Sequence, residues 1–278
     1  MMHHSLRRTS GIGAALLGLA ALAGCGPQSA DAAQRDGARK CPSAWLGTQL
    51  AGGTSVELLV AAGPTIPAGR WPAYRTMAKA VAGCAAPGTA VTLRPITDRS
   101  LTELPLFTGT IPAETGQNAV NPLRYRTELL GFAAREAAAV DRLPAVGAKA
   151  TGSDPLGALT AAGQDHSVTP TGSKHVVVAI FNGWQQTRAL NLFSYQHDPA
   201  GSTESAVRGL RASGALPDLG GSDVVIVGLT AGATSMQTSD AQLAGLCRFW
   251  RGVVAASGGK LTLCAAALPG IEDSGPNV

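Results

Sequence analysis

Three short segments of this 278-residue chain place polar side chains and glycines at the junctions between strand-like and helix-like sequence. They are Ala61-Ala62-Gly63-Pro64-Thr65, Gly152-Ser153-Asp154 and Asn182-Gly183-Trp184. In a parallel sheet, ligands bind beyond the carboxyl ends of the strands, near the point where the strand order reverses. These segments are therefore the first candidates for a binding site, and they offer hydroxyl, carboxylate and amide oxygens.

Catalytic motifs are not found in the sequence. A serine hydrolase needs a nucleophile elbow such as Gly-x-Ser-x-Gly, and no such run is present. The segment Gly152–Gly157 lacks the lysine and the spacing of a phosphate loop. His166, His175 and His197 have no partner that their spacing identifies, and we predict that each faces solvent. The sequence therefore predicts a protein that is not an enzyme and that carries no cofactor.

The first 24 residues have the pattern of an export signal. Arg7 and Arg8 precede an apolar run from Ile12 to Leu22, which is shorter than the roughly 20 residues that span a bilayer as a helix. The run Leu22-Ala23-Gly24-Cys25 resembles the lipobox of bacterial lipoproteins, whose cysteine is acylated and becomes the first residue after cleavage. The resemblance implies a lipid at Cys25, which would hold the protein on the extracytoplasmic face of the cell membrane. An ordinary secretory signal with a chance cysteine is the alternative.

The charge pattern argues against a nucleic-acid partner. Removal of residues 1–24 leaves 20 basic and 18 acidic side chains, and the basic ones are scattered along the chain. A phosphate-binding surface needs clustered Lys and Arg.

The four remaining cysteines form an even set in a chain expected to reach an oxidising compartment, which predicts two disulfides. Three connectivities are open, and the predicted elements favour pairing within each half of the chain: Cys41 with Cys84, and Cys247 with Cys264. Zinc is the alternative role for these side chains. The absence of any Cys-x-x-Cys pair and the dispersed histidines argue against a metal.

Strand and helix patterns alternate after residue 40, which predicts a doubly wound, mostly parallel α/β sheet flanked by helices in three layers. Apolar runs predict strands at 56–60, 90–94, 175–181, 223–229 and 260–264, and apolar spacings of three and four predict helices over 70–83, 121–143, 154–162, 203–213 and 240–257. Ser153, Ser202 and Ser239 are predicted N-caps. Leu101–Gly116 lacks a regular pattern and is expected to be a surface loop over one end of the sheet.

This organisation predicts a signal peptide over 1–24, a flexible tether over 25–40, one α/β domain over 41–270 and a C-terminal tail over 271–278. From about residue 54 to 268 the order and spacing of elements resemble those of the von Willebrand factor A domain family. That family carries a metal-ion-dependent adhesion site, built from an Asp-x-Ser-x-Ser loop, a threonine or similar residue before a helix, and an aspartate at the end of the next apolar strand.

The resemblance implies that six residues occupy the positions of this adhesion site: Ala61, Gly63 and Thr65 in the first loop, Ser153 and Asp154 in the second, and Asn182 in the place of the third-loop aspartate. Mg²⁺ needs oxygen ligands and gains affinity from carboxylates. Asp154 is the only acid in this set, so we expect a degenerate site that holds no divalent ion.

Aromatic and polar side chains predicted near the same end of the sheet suit a protein interface. They are Arg70, Trp71, Trp184, Gln185 and Gln186. We therefore expect a membrane-anchored, non-catalytic, metal-independent module that binds an envelope or extracellular protein. The alternative is a lipoprotein that binds a small solute above the sheet and delivers it to a transporter. The lack of a second, hinge-linked lobe argues against that alternative.

Overall fold

The computed structural model describes residues 41–51, 55–63, 66, 68–167, 174–187, 190–192, 203–230 and 239–271. Several sequence predictions lie outside these residues. They concern the signal and tether with Cys25, and also Thr65, His197, Ser202 and the tail beyond Ile271.

Six strands form one sheet in the order β3-β2-β1-β4-β5-β6. They are β1 (Ser55–Ala61), β2 (Ala90–Ile96), β3 (Phe107–Thr110), β4 (His175–Ile180), β5 (Ser222–Val227) and β6 (Lys260–Ala265). The helices are α1 (Ala44–Leu50), α2 (Trp71–Cys84), α3 (Gln117–Val120), α4 (Pro122–Gly147), α5 (Pro155–Ser167), α6 (Thr203–Ala212) and α7 (Asp240–Ala256), and a 3₁₀ turn spans Ala68–Arg70.

The predicted doubly wound α/β fold is confirmed. β1, β2, β4, β5 and β6 are parallel, and β3 pairs antiparallel with β2 at the edge. All six residues of β4 are buried, as expected of a parallel strand covered on both faces. The strand order reverses between β1 and β4, so this is the point at which ligands of doubly wound sheets bind.

The structure corrects the prediction for Leu101–Gly116, which is not an irregular loop throughout. Phe107–Thr110 forms β3, paired with Ala90–Leu93. The strand has only four residues, two of them exposed threonines, so its sequence offers too few apolar positions for a pattern to show. The short helices α1 and α3 were also missed, since seven and four residues give little periodicity.

Both predicted disulfides are confirmed. Cys41 bonds Cys84, and Cys247 bonds Cys264, with sequence separations of 43 and 17 residues. In the chain-entropy model these loops stabilise the fold by about 4 and about 3 kcal/mol respectively. The first disulfide fixes the start of the domain to the end of α2, and the second joins α7 to β6.

The core is continuous across the sheet and includes Tyr74, Phe132, Phe181, Trp184 and Trp250, each at most 1% exposed. No helix of the described residues is long and apolar enough to cross a bilayer.

Candidate functional site at the carboxyl edge of the sheet

The described parts of the three predicted segments meet at the carboxyl edge, beside the point where the strand order reverses. The backbone N–H of Gln186 donates to the Ser153 carbonyl at 2.8 Å. Gly63 lies so close to this loop that a Cβ atom there would be 2.8 Å from the carbonyl oxygen of Gly152. The turn after β1, the loop before α5 and the turn after β4 therefore form one continuous surface.

Asp154 caps α5, which corrects the prediction that Ser153 does so. One carboxylate oxygen of Asp154, Oδ1, accepts a hydrogen bond from the backbone N–H of Gly157 at 3.0 Å. The Asp154 carbonyl accepts from the N–H of Ala158 at 3.1 Å, as an N-cap carbonyl should. The Ser153 hydroxyl is buried and has no hydrogen-bond partner among the described residues. At α7 the predicted cap is confirmed, because the Ser239 hydroxyl accepts from the N–H of Gln242.

Gln185 ties the turn after β4 to the start of α5. Its Nε2 donates to Asp154 Oδ1 at 2.7 Å and to the Thr187 hydroxyl at 3.0 Å, and its Oε1 accepts from the N–H of Leu156 at 3.0 Å. The side chain is 1% exposed, so these bonds satisfy an amide that burial would otherwise penalise. A neutral side chain therefore joins the two loops.

Asn182 and Trp184 belong to the support beneath this surface. The Asn182 side-chain oxygen accepts a hydrogen bond from the N–H of Trp184 at 3.2 Å. The backbone carbonyl of Asn182 accepts from the N–H of Thr230 at 3.1 Å. The indole of Trp184 donates to the Thr230 carbonyl at 3.0 Å and is fully buried. Asn182 thus organises the turn after β4, and Trp184 is part of the core.

The adhesion-site positions that the structure describes do not offer the ligands that a divalent cation needs. Ala61 and Gly63 have no side-chain oxygen, and Asp154 Oδ1 already accepts two hydrogen bonds. Nowhere in the described part of the chain do three or more His, Cys, Asp or Glu side chains form a group that could hold a metal ion. We therefore assign no metal-dependent chemistry to these residues.

The predicted interface residues divide into buried and accessible ones. Trp184 and Gln185 are at most 1% exposed and cannot present side chains to a partner. Gln186 is exposed, whereas Arg70 and Trp71 are half-buried at the start of α2. Sequence reasoning placed all five near one end of the sheet, but it could not tell the surface from its support.

Sequence reasoning missed an exposed apolar loop at the same edge. After β2 the chain exposes Leu101 at 47% and Leu104 at 81%. The loop contacts the site, because the Asp154 N–H donates to the Thr97 carbonyl at 2.7 Å. Leu101 and Leu104, set among the polar residues Thr102 and Glu103, were the available signal, and they were assigned to an irregular loop.

A cleft lies beside this loop, between the end of β2 and the last turns of α4. Its volume is about 260 Å³. Charged side chains of both signs line it: Asp98, Arg99, Glu103, Arg142 and Lys149. Arg142 Nη2 donates to the Leu106 carbonyl at 2.6 Å, which fixes the guanidinium at the rim.

A second polar cluster lies between the sheet and α5 and reaches the loop after β2, because Arg94 Nη1 donates to the Glu103 carbonyl at 3.1 Å. Arg94 pairs with Glu57 at 2.8 Å and also with Asp165 on α5. Burial raises the pKa of Glu57 to about 8, although the Arg94 guanidinium opposes the rise. This ion-pair network fills the space between the sheet and α5 and is closed to solvent on the Glu57 side.

His175 begins β4 at the amino edge of the sheet and is 2% exposed, so the prediction that it faces solvent is wrong. Its Nδ1 is 2.9 Å from the Ser222 hydroxyl, and its ring stacks on His166 with 4.4 Å between centroids. Burial, followed by the neighbouring His166, lowers the pKa of His175 to about 4. Ser222 is 1% exposed, so a substrate cannot reach this Ser–His pair. The pair therefore gives no support to hydrolase chemistry.

The fold and its carboxyl edge define a doubly wound α/β domain with a hydrogen-bonded loop cluster and an exposed apolar loop. No protein-family model matches the chain, and no characterised protein matches it in sequence.

Proposed function

We propose that this protein is a lipid-anchored, extracytoplasmic lipoprotein whose α/β domain binds an envelope or extracellular protein without a metal ion. The observation that carries the proposal is the apolar loop at the carboxyl edge, where Leu104 is 81% exposed next to Leu101. A side chain of this size gains free energy when a partner covers it. A paired apolar patch at the edge where doubly wound sheets bind ligands is a candidate interface.

The surroundings of the patch have the composition of a protein interface. Such interfaces combine an apolar centre with a polar rim, and arginine is enriched in them. Here Leu101 and Leu104 stand beside exposed Arg99, and Gln186 is exposed on the neighbouring turn. The cleft of about 260 Å³ gives a partner side chain a place to enter.

The site chemistry supports the metal-independent part of the proposal. Hydrogen bonds from Gln185 and Gly157 occupy the one carboxylate oxygen that joins the two loops. The loops are thus held together by hydrogen bonds of their own. The von Willebrand A-like relationship remains a hypothesis, with which the strand order and the antiparallel edge strand are compatible. The lipobox-like run before Cys25 supports the anchor.

The solute-binding alternative has one observation in its favour. The cleft beside Leu106 is lined by two acids and three cations, which could hold the two charged ends of a zwitterion. Its volume lies just below the roughly 300–1,000 Å³ of typical small-molecule sites. The exposed leucines outside the cleft have no role in this alternative, so we favour the protein-binding function.

Site-specific photocrosslinking in the full chain tests the proposal. Leu104 is replaced by p-benzoylphenylalanine, and exposed Arg208 on α6 is replaced in the same way as the matched control. We expect a discrete protein adduct from position 104 alone, at equal yield with and without EDTA. An adduct that disappears in EDTA would contradict the metal-independent mode. Equal labelling from both positions, or none from position 104, would contradict the interface.

A further inference from the structure

The amino edge of the sheet carries a second exposed apolar surface, which has no role in the proposed protein-binding site. At the corner between α3 and α4, Val120 is 83% exposed and Leu123 is 75% exposed. Only Asn121 and Pro122 separate them along the chain, so both side chains lie at the same turn. Leu130, two turns further along α4, is 50% exposed.

The topology places this corner at the amino edge. β3 runs antiparallel to β2 and ends at Thr110, opposite Ala90, the first residue of β2. The chain beyond β3 stays at this edge, because the Gly88 N–H donates to the Ile111 carbonyl at 2.9 Å and Asn118 Nδ2 donates to the Ala113 carbonyl at 3.2 Å. α4 then runs back toward the carboxyl edge.

The start of the domain lies at the same edge. Cys41 is bonded to Cys84, with 4.4 Å between the Cα atoms. Cys84 ends α2, the helix that returns the chain from the carboxyl end of β1 to the amino end of β2 at Ala90. The disulfide therefore fixes the point where residues 25–40 join the domain to the edge that exposes Val120 and Leu123.

The length of chain before Cys41 limits how far this edge can be from the bilayer. With the proposed lipid anchor at Cys25, on which this inference rests, only 16 residues separate the membrane from the domain. They run from Cys25 to Lys40. Fully extended they reach at most about 55 Å, and a domain of this size is itself roughly 45 Å across. The anchor thus keeps the amino edge within reach of the lipid surface.

The chemistry of the corner fits the boundary between lipid headgroups and acyl chains. Interfacial surfaces present apolar side chains with charged groups around them. Arg124 and Arg126 flank Leu123, and Glu114 and Glu128 lie at the same corner, so the charges cancel. Arg124 already pairs with Glu128 at 2.8 Å. Apolar contact must therefore carry the interaction, and it does not require anionic lipid.

An open groove of about 600 Å³ lies beside this corner, between β3 and α4. Its lining is mixed, with apolar Ile111 and Pro112 and charged Glu128 and Arg135, so the apolar contact must come from the corner itself.

We propose that the α3–α4 corner, centred on Val120 and Leu123, docks on the lipid bilayer that holds the anchor. The domain then stands with its amino edge on the membrane and its carboxyl edge, with Leu104, directed away from it. This orientation presents the proposed protein-binding loop to partners beyond the membrane surface.

The test uses the full chain purified from membranes and reconstituted in vesicles of phosphatidylcholine. p-Benzoylphenylalanine replaces Leu123 in one protein and, as the matched control, the equally exposed Leu104 in another. Mass spectrometry reports the acyl chains at Cys25 and the photoproducts. We expect lipid adducts from position 123 at several times the yield from position 104. A Val120→Glu substitution should reduce the yield at 123 without changing the thermal unfolding of the protein.

The remaining outcomes would contradict either the docking surface or the lipid anchor. An acylated chain that labels lipid equally from both positions, or more from 104, overturns the docking surface and leaves the lipoprotein proposal standing. Adducts between two copies of the chain at position 123 overturn the bilayer as the occupant. A chain without acyl groups at Cys25 would contradict the lipoprotein proposal. If position 123 of such a chain also failed to label lipid, the docking surface would be overturned as well, whereas continued labelling at 123 would support docking without the anchor.

Discussion

The space beneath α5 and the carboxyl edge of the sheet use polar residues in opposite ways. Beneath α5, ionisable side chains are buried: Glu57 pairs with Arg94, and His175 is enclosed at the amino edge. At the carboxyl edge, where a ligand would bind, the buried polar side chains are neutral. Asn182 and Gln185 are each 1% exposed. The Asn182 side chain accepts a hydrogen bond within the turn after β4, and the Gln185 side chain donates to Asp154 in the loop before α5.

The polar residues beneath α5 therefore contribute to stability, whereas those at the carboxyl edge shape the proposed binding surface. Glu57 and Arg94 are largely buried, and Arg94 holds α5 to the sheet through the half-exposed Asp165. At the carboxyl edge, the neutral Gln185 side chain joins the turn after β4 to the start of α5, and Asp154 supplies the carboxylate that it binds. Hydrogen bonds between described residues thus hold these two loops together at the carboxyl edge.

The largest effect should follow from breaking the pair of Glu57 and Arg94. We predict that Arg94→Met lowers the free energy of unfolding by about 2–3 kcal/mol at neutral pH, because the buried Glu57 carboxyl and the Glu103 carbonyl lose their donor. The loss should grow above pH 8, where Glu57 ionises in the parent chain and would be a buried charge without its partner in the variant. Urea unfolding measures both. Arg75→Met is the matched control, since its pair with Asp141 is exposed and should contribute less than about 1 kcal/mol.

The pH dependence of stability should come next. Because the pKa of Glu57 is raised to about 8 in the folded protein, the folded state binds the extra proton, and stability falls as pH rises from the unfolded value of 4.5 toward 8. His175 acts in the opposite direction below pH 6.5, since its lowered pKa costs stability as pH falls toward 4. Between pH 6.5 and 8 the fall should therefore be visible in thermal unfolding.

The substitution Glu57→Gln should remove most of that fall. Glu136 on α4, whose pKa burial raises to about 7, contributes with the same sign, so Glu136→Gln is the control and should flatten only the lower part of the window. An unchanged slope in Glu57→Gln would show that this carboxyl is ionised throughout.

At the carboxyl edge we expect smaller losses. Asp154→Ala removes the cap of α5 and leaves the buried Gln185 amide without one acceptor, which should cost about 1–2 kcal/mol. Asp154→Asn keeps an oxygen acceptor and should recover most of the loss. Ser239→Ala, at the exposed cap of α7, should cost about 1 kcal/mol or less. Chemical denaturation of the three variants would rank them, and equal losses for Asp154→Ala and Ser239→Ala would contradict a role for Gln185.

The smallest stability effect should accompany the largest binding effect. Leu104→Asp touches an exposed side chain, so its unfolding free energy should stay within about 0.5 kcal/mol of the parent chain. In a pull-down with the partner captured by photocrosslinking, the variant should nevertheless lose binding. Retained binding would move the interface away from this loop.

The sequence predicted most of the architecture, because long buried strands and capped helices have strong patterns. β4 and the helices α2, α4 and α7 lie where periodicity placed them, and the cysteines pair as their positions within the elements favour. β3 escaped prediction because its pairing depends on a neighbour in space, namely Ala90–Leu93.

The sequence predicted which segments meet at the carboxyl edge, but it did not predict the role of each residue in them. Loop positions follow from strand ends, yet whether a side chain faces outward depends on the packing around it. Trp184 was expected at a surface and is buried, whereas Leu104 in an apparently featureless loop is exposed. Ser153 and Asp154 are adjacent and both can cap a helix, and only the backbone path selects Asp154. Gly157 is part of that selection, because a Cβ there would be 2.2 Å from Asp154 Oδ2.

We propose that the loop cluster around Asp154 holds its shape without a metal ion. Titration calorimetry of Mg²⁺ and Mn²⁺ into the full chain tests this proposal, with Asp154→Asn as the isosteric control. We predict no binding heat from either protein. Saturable binding to the parent chain that is lost in Asp154→Asn would contradict the claim and restore a metal-dependent adhesion site.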